Sequence, residues 1–222
     1  MTILEFSRGP MLHFALIVFV FGVLWRLVSV VLLGWRKSRA ENRVSPGKAA
    51  VGGVVATGNR SWPHPEFLDR TAFGEAVGYG YHIGLFAIVL VGAPHVAFWK
   101  NLFGINAAWW PTIPSGIISV ISVVTIFLMF IATVRRFMHP VLRRISNFDD
   151  WFTLAILYAV MVSGVMAVFG IGGRYELVLA AHIISFNVLL IWFPFGKLMH
   201  AFYIFPSRFI TGYKHEKKGA AS

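Results

Sequence analysis

The sequence predicts an all-α integral membrane protein, a five-helix bundle with its N-terminus outside and its C-terminus in the cytoplasm. Of the 222 residues, 57% are hydrophobic and 13% are charged, and the mean hydropathy is +0.71. Soluble domains rarely combine so little charge with so many long apolar runs. Five runs are long enough to cross a bilayer as helices and lack the alternation of strands: 11–34, 74–99, 115–134, 151–171 and 176–203. We interpret residues 1–222 as one membrane domain.

The distribution of arginine and lysine predicts the orientation. The connections after the first and third segments and the tail hold most of these residues, whereas the opposite side carries Arg8, Lys100 and Arg174. Because cytoplasmic loops are enriched in cations, the N-terminus is expected on the outer side of the membrane. The expected membrane is the cytoplasmic membrane of a prokaryote. The net charge of +11 is then mostly a topology signal, and no nucleic-acid partner is expected. The cytoplasmic connection 35–73 shows little apolar periodicity and is predicted to be a surface loop.

Four of the eight histidines lie within or at the ends of the second and fifth segments. His182 and His200 are 18 positions apart. In one continuous helix this is about five turns and about 27 Å, so both imidazoles would share a face near opposite sides of a bilayer. Two histidines on one face of a helix, one near each side of the membrane, suggest two haems stacked across it. Chain direction then pairs His82 with His200 on the inner side and His95 with His182 on the outer side. Ligation by two histidines favours electron transfer, because no iron position stays open.

The second segment does not fit a straight helix with both ligands on one face. His82 and His95 are 13 positions apart, which corresponds to about 220° of helical rotation. Pro94 predicts a bend beside His95, since proline removes a helix hydrogen bond. The outer pair therefore depends on this bend. The chain has no cysteine, which excludes covalently attached haem, iron–sulfur clusters and thiolate metal sites within it.

The histidine-bearing segments resemble the membrane cytochrome b (gamma) subunit family of respiratory nitrate reductase. This family includes the heterodisulfide-reductase-like and sulfite-reductase-associated membrane cytochromes. The stretch AHIISFNVLLIWFPFGKLMHAF is similar to the family helix with two haem ligands 18 apart, and YHIGLFAIVLVGAPH is similar to its second helix. The resemblance implies that His82, His182 and His200 are axial ligands of haem b. At His95 the spacing departs from the nitrate reductase form, so its assignment as the fourth ligand stays open.

The segment GAPHVAFWKNLFGINAAWWPTIPSG resembles the sulfur-metabolism branch of the family. This favours a cytoplasmic iron–sulfur partner of the heterodisulfide-reductase type over a molybdenum enzyme with an iron–sulfur subunit, which a nitrate-reductase-type gamma subunit serves. The family implies two haems b and a reaction with menaquinone or ubiquinone near the outer haem. The chain would then be the quinone-reacting electron-transfer subunit of an oxidoreductase complex embedded in the lipid bilayer.

Further residues could support these cofactors. Arg26, which matches an arginine near the inner end of the family's first helix, and Lys197 could pair with the anionic propionates of the inner haem. Snorkelling of both side chains to the headgroups is an equally simple explanation. Lys100, Trp109 and Trp110 are candidates for a quinone site beside the outer haem. The tryptophans also fit an interfacial aromatic belt.

Two other classes of function remain open from the residues. One is a proton-relay transporter subunit, in which the histidines carry protons. The membrane segments contain no chain of carboxylates for such a relay, because Glu75 and Glu176 lie at segment ends. The other is a membrane anchor without a cofactor, which does not account for four histidines in two segments.

Overall fold

The chain is mostly helical in the part that the computed structural model describes, which is residues 1–32, 41–104 and 108–220. Strand-like pairing in these ranges is limited to a single bridge between Gly92 and Ile113. The α-helices in these ranges are α1 (Ile3–Arg8), α2 (Pro10–Leu32), α3 (Pro46–Asn59), α4 (Leu68–Val91), α5 (Ala93–Phe103), α6 (Ser115–Met138), α7 (Pro140–Ile145), α8 (Phe148–Phe169), α9 (Tyr175–Trp192) and α10 (His200–Lys217). Two 3₁₀ turns, Pro65–Phe67 and Lys197–Met199, precede α4 and α10.

Five helical stretches among the described residues are long and apolar enough to cross a membrane, which confirms the all-α membrane fold. They are Ile3–Val30, Pro65–Val91, Ser115–Met138, Phe148–Phe169 and Tyr175–Trp192. Large exposed apolar side chains cover them, as expected of surfaces that face lipid tails. The orientation stays a prediction, and Arg36, Lys37 and Arg39, which contribute to it, lie outside the described residues.

The structure differs from the prediction of one helix over 176–203. Helix α9 ends at Trp192, and α10 begins at His200. Between them, Pro194 has no backbone N–H to continue the helix, and Gly196 is extended, with φ −102° and ψ −176°. His182 and His200 therefore lie on different helices, and the argument from one shared helical face does not apply to them.

The connection predicted as a surface loop over 35–73 contains helix α3 in its described part. Ser45 caps the helix by accepting a hydrogen bond from the backbone N–H of Lys48, and Pro46 occupies the first turn. Residues 33–40 lie outside the described part of the chain. The apolar residues of α3 are mostly alanine, glycine and valine, so the helix lacks the stripe of large side chains that reveals amphipathic helices in a sequence.

The described residues divide into two compact units. The first unit comprises residues 1–16 and 73–191. Its core contains Ile88 of α4, Ile118 and Met129 of α6, and Met161 of α8. Gly84 of α4 lies so close to α6 that an added Cβ would overlap the side chain of Thr125. Glycine thus permits close approach of α4 and α6, as at other helix contacts in membranes.

The second unit comprises residues 17–72 and 192–222, described as far as residue 220. Helix α3 packs against α10 through small residues, and a Cβ on Gly212 would overlap the side chain of Ala56. Arg208 of α10 donates a hydrogen bond of 2.8 Å to the Ser61 hydroxyl, just beyond α3. The C-terminal stretch His200–Lys217 therefore forms a helix that packs against α3.

A polar cluster in the first unit ties the end of α6 to the start of α8. Arg136 forms a 3.1 Å ion pair with Asp150 and donates a 2.8 Å hydrogen bond to the Ser146 hydroxyl. The Asp150 side chain is 8% exposed and that of Arg136 is 32% exposed. Asp150 also accepts the backbone N–H of Asn147, which completes a capping box at the start of α8.

Asp150→Ala is expected to lower the free energy of unfolding by about 1–3 kcal/mol, because the substitution removes both the partly buried ion pair and the cap. Asp149→Ala is the matched control. Its carboxylate accepts a hydrogen bond from Thr153 within α8, while the contact between Arg136 and Asp150 is untouched. Thermal unfolding of both variants in detergent measures the difference. Equal destabilisation by the two substitutions would show that the ion pair and cap add nothing.

Candidate metal centre

A break in the second membrane segment determines where His95 lies. Helix α4 ends at Val91, and Gly92 is extended (φ −66°, ψ 126°) before α5 begins at Ala93. Pro94 lies in the first turn of α5, where its missing N–H costs no helix hydrogen bond. The two histidines of this segment, His82 and His95, thus lie on separate helices. The rotation of about 220° calculated for one straight helix therefore does not describe them.

The last turn of α4 has all of its carbonyl oxygens hydrogen-bonded, although a helix end leaves four without helical partners. The backbone N–H of Gly92 donates to Ile88, and that of Ile113 donates to Val91 at 2.7 Å. The other two partners are indole N–H groups. Trp99 donates to the carbonyl of Val89 at 2.8 Å, and Trp110 donates to that of Leu90 at 2.7 Å.

The structure brings the imidazoles of His95 and His182 together within the first unit. Their ring centroids are 6.2 Å apart and their planes are inclined by 61°. Both residues are half-buried. An iron between two imidazole nitrogens needs a bond of about 2 Å on each side and about 1 Å from each nitrogen to its ring centre, or about 6 Å in total. The observed separation fits an axial pair of this kind.

Helix α8 holds His182 by its Nδ1 atom. This nitrogen lies 2.9 Å from the carbonyl oxygen of Val160 and 3.3 Å from the hydroxyl oxygen of Ser163. Because a carbonyl can only accept, Nδ1 carries the proton, and the lone pair of the imidazole is on Nε2. Metal-ligating histidines are typically held in this way, with one nitrogen on a backbone carbonyl and the other toward the metal.

Two glycines make room for the imidazoles. A Cβ on Gly164 of α8 would lie 3.0 Å from Cε1 and 3.2 Å from Nδ1 of His182, and a Cβ on Gly92 would lie 3.4 Å from Nδ1 of His95. The Nδ1 atom of His95 is buried and has no hydrogen bond of good geometry among the described residues, although the Ile88 backbone faces this ring. Gly164 and Gly92 therefore leave space for both imidazoles.

The other two predicted ligands are each held in the same tautomer. Nδ1 of His82 lies 2.8 Å from the Gly78 carbonyl, and Nδ1 of His200 lies 2.8 Å from the Lys197 carbonyl. Both imidazoles therefore carry the lone pair on Nε2. The ring of Tyr81 stacks on His82 with centroids 4.3 Å apart. His82 belongs to the first unit and His200 to the second, and their pairing stays a prediction.

The predicted partners of the propionates lie in the second unit, and the predicted quinone-site residues lie in the first. In the second unit, Arg26 and Lys197 are both exposed. The backbone carbonyl of Arg26 accepts a 3.0 Å hydrogen bond from the hydroxyl of Tyr203, a contact that no local sequence signal indicates. In the first unit, Lys100 lies in the last turn of α5, and Trp109 is 79% exposed and stacks on Trp110. The hydrogen bond from Trp110 to α4 indicates a structural role for that indole.

The donor set distinguishes between kinds of metal. No group of three or more histidine, cysteine, aspartate or glutamate side chains that could hold an ion occurs among the described residues. Zinc sites use three or four protein ligands. In a haem, by contrast, the macrocycle supplies four ligands and the protein supplies one or two. Two imidazoles, as in the pair of His95 and His182, are the number of ligands that a haem iron can take from a protein.

Comparison with known proteins finds a relative of this chain, although neither a family model nor a solved structure matches it. A protein of Nitratidesulfovibrio vulgaris, described only as a protein, is 31% identical over an alignment that covers 98% of this chain and 96% of that protein. At this identity over nearly the full length of both, the chain belongs to the same family as the Nitratidesulfovibrio vulgaris protein.

Proposed function

We propose that the chain is a dihaem b-type cytochrome subunit of a membrane redox complex, similar to the gamma-subunit cytochromes. It would pass electrons between the quinone pool and a cytoplasmic iron–sulfur subunit of the heterodisulfide-reductase type. The observation that carries the proposal is the pair of half-buried imidazoles of His95 and His182, whose centroids are 6.2 Å apart. These residues lie 87 positions apart in the sequence, on α5 and α9, so no local pattern accounts for their meeting.

The residues around this pair would hold and orient a haem b. Its iron supplies one-electron transfer when bound. His95 and His182 would hold the haem through their imidazoles, the Val160 carbonyl would keep the proton of His182 on Nδ1, and apolar helices would surround the rings. A haem held by two histidines would favour electron transfer over binding of oxygen.

The second haem of the proposal rests on the sequence, with His82 and His200 as its ligands. The tautomer in which each of these imidazoles is held supports a ligand role for each residue. Arg26 and Lys197 are the proposed partners of its propionates, because both cations are exposed in the unit that contains His200.

The proposed quinone site includes Lys100 and Trp109. Lys100 follows His95 on α5, and the exposed indole of Trp109 offers an aromatic face to a flat ring. Trp110, the third candidate, would act through its contact with Trp109, since its own N–H is used by the end of α4. Addition of reduced menaquinone or ubiquinone analogues to the oxidised protein tests this site, and haem reduction by one analogue identifies the quinone.

The purified protein is expected to show the α band of a b-type cytochrome in a reduced-minus-oxidised spectrum. Quantification as the pyridine haemochrome should give two haems per chain. The absence of a b-type band would overturn the cytochrome function. One haem per chain would contradict the dihaem assignment, and the haem content of the histidine variants would show which pair holds the haem. Co-purification followed by mass spectrometry identifies the partner subunit.

A further inference from the structure

Helix α8 contains none of the candidate ligands, yet it contacts His182 at three points. The Val160 carbonyl and the Ser163 hydroxyl lie 2.9 and 3.3 Å from Nδ1 of His182. Gly164 follows directly, and its lack of a side chain lets the imidazole approach the helix. Positions 163 and 164 lie three and four residues after position 160, so the three contacts come from one face of α8 and lie along one edge of the imidazole.

The hydrogen bonds of Ser163 determine what its oxygen offers to His182. A hydroxyl has one proton to donate, and that of Ser163 is directed at the carbonyls of its own helix, at 2.5 Å from Ala159 and 3.1 Å from Val160. The oxygen therefore presents a lone pair to His182. Since Nδ1 of His182 carries the proton, this N–H is shared between the Val160 carbonyl and the Ser163 oxygen as a three-centre hydrogen bond.

From this arrangement we infer that Ser163 is a positioning residue that lowers the reduction potential of the haem ligated by His182. The inference rests on the proposed cytochrome function. A second acceptor on the Nδ1 proton gives the imidazole more anionic character and makes its Nε2 a stronger donor. A stronger axial donor stabilises ferric over ferrous iron, which lowers the potential. The Val160 carbonyl and the Ser163 oxygen also restrict rotation of the His182 imidazole about its Cβ–Cγ bond.

Ser163→Ala tests the inference, with redox titration and electron paramagnetic resonance of the purified, haem-loaded protein as readouts. The variant is expected to keep the wild-type haem count, to shift the midpoint potential of one haem upward, and to change the g values of that haem. Ser163→Thr, which restores the hydroxyl, should return both readouts toward wild type. Ser29→Ala is the matched control, because Ser29 bonds to the carbonyl of Trp25 in its own membrane helix. This control should leave the potentials unchanged.

The outcomes separate this inference from the proposed function. Equal potentials in wild type, Ser163→Ala and Ser29→Ala would overturn the role of Ser163, while a two-haem wild-type spectrum would still support the cytochrome. A wild-type protein without haem would overturn the function itself. If Ser163→Ala loses haem, Ser163→Thr decides the question. A wild-type midpoint potential in Ser163→Thr supports the inference. An upward shift of the midpoint potential in Ser163→Thr, despite the restored hydroxyl, contradicts it.

Discussion

His182→Ala is expected to remove one of the two proposed haems and leave the other. His95→Ala should remove the same haem, because the two imidazoles would ligate one iron from opposite sides, with ring centroids 6.2 Å apart. Loss of either ligand leaves an open axial position in an apolar setting and weakens binding of the haem. The haemochrome content of each variant should fall by about half relative to wild type, on the two-haem model.

The double variant distinguishes a shared iron from two separate sites. Groups that act as one unit show non-additive effects, so His95→Ala combined with His182→Ala should lose no more haem than either single variant. Loss of both haems in the double variant would show that the two residues serve different irons. His13→Ala is the control for removal of a histidine near the end of a membrane helix, and it should keep full haem content.

Gly84→Leu is expected to destabilise the first unit strongly. A Cβ at this position already overlaps the side chain of Thr125, and Thr125 is 1% exposed and bonded to the Ile121 carbonyl, so it has no space into which to move. Overpacking of this kind costs about 1–3 kcal/mol, and a side chain as large as leucine would force α4 and α6 apart.

Gly78→Leu is the matched control on the same helix, since nothing lies within 4 Å of a Cβ built there. Both substitutions gain the same helix propensity over glycine, so the difference between their midpoints of thermal unfolding reports the packing alone. Unfolding midpoints that are equal within error would show that α4 and α6 are not in close contact at Gly84. If His82 is a haem ligand as proposed, Gly84→Leu should also lower the haem content, because α4 carries His82.

The membrane fold could be predicted from the sequence because its main determinant is local. An apolar run of about 20 residues must satisfy its backbone internally in lipid, and the helix does so without any distant partner. The predicted third segment, 115–134, and fourth segment, 151–171, therefore agree with α6 and α8 to within four residues at each end. The pairing of residues on different helices depends on packing, which a run of apolar residues does not specify.

The fifth segment shows where a hydropathy pattern misleads. Apolar residues continue past the end of α9 through Phe193, Pro194 and Phe195, so the composition does not change where the helix stops. The signals for the end were Pro194 and Gly196, which interrupt the backbone hydrogen bonds without lowering hydropathy. Pro194 is almost fully buried, which also hides it from any argument that places proline in exposed loops.

The second segment was predictable in part. Pro94 indicated a departure from a straight helix near His95, and the structure has a break there at Gly92. The partners that stabilise the break could not be inferred, because Trp99 and Trp110 lie 10 and 20 positions from the carbonyls they reach. Tryptophans near a membrane interface are usually explained by the aromatic belt. That explanation does not predict that an indole N–H donates to a carbonyl of α4, as those of Trp99 and Trp110 do.

The hydrogen bonds at the end of α4 determine whether this helix end needs water. Each of its last four carbonyls accepts a hydrogen bond from the protein, so the interruption of the helix requires no solvent molecule to complete it. The membrane span Pro65–Val91 therefore ends without leaving a backbone carbonyl that needs water as its partner.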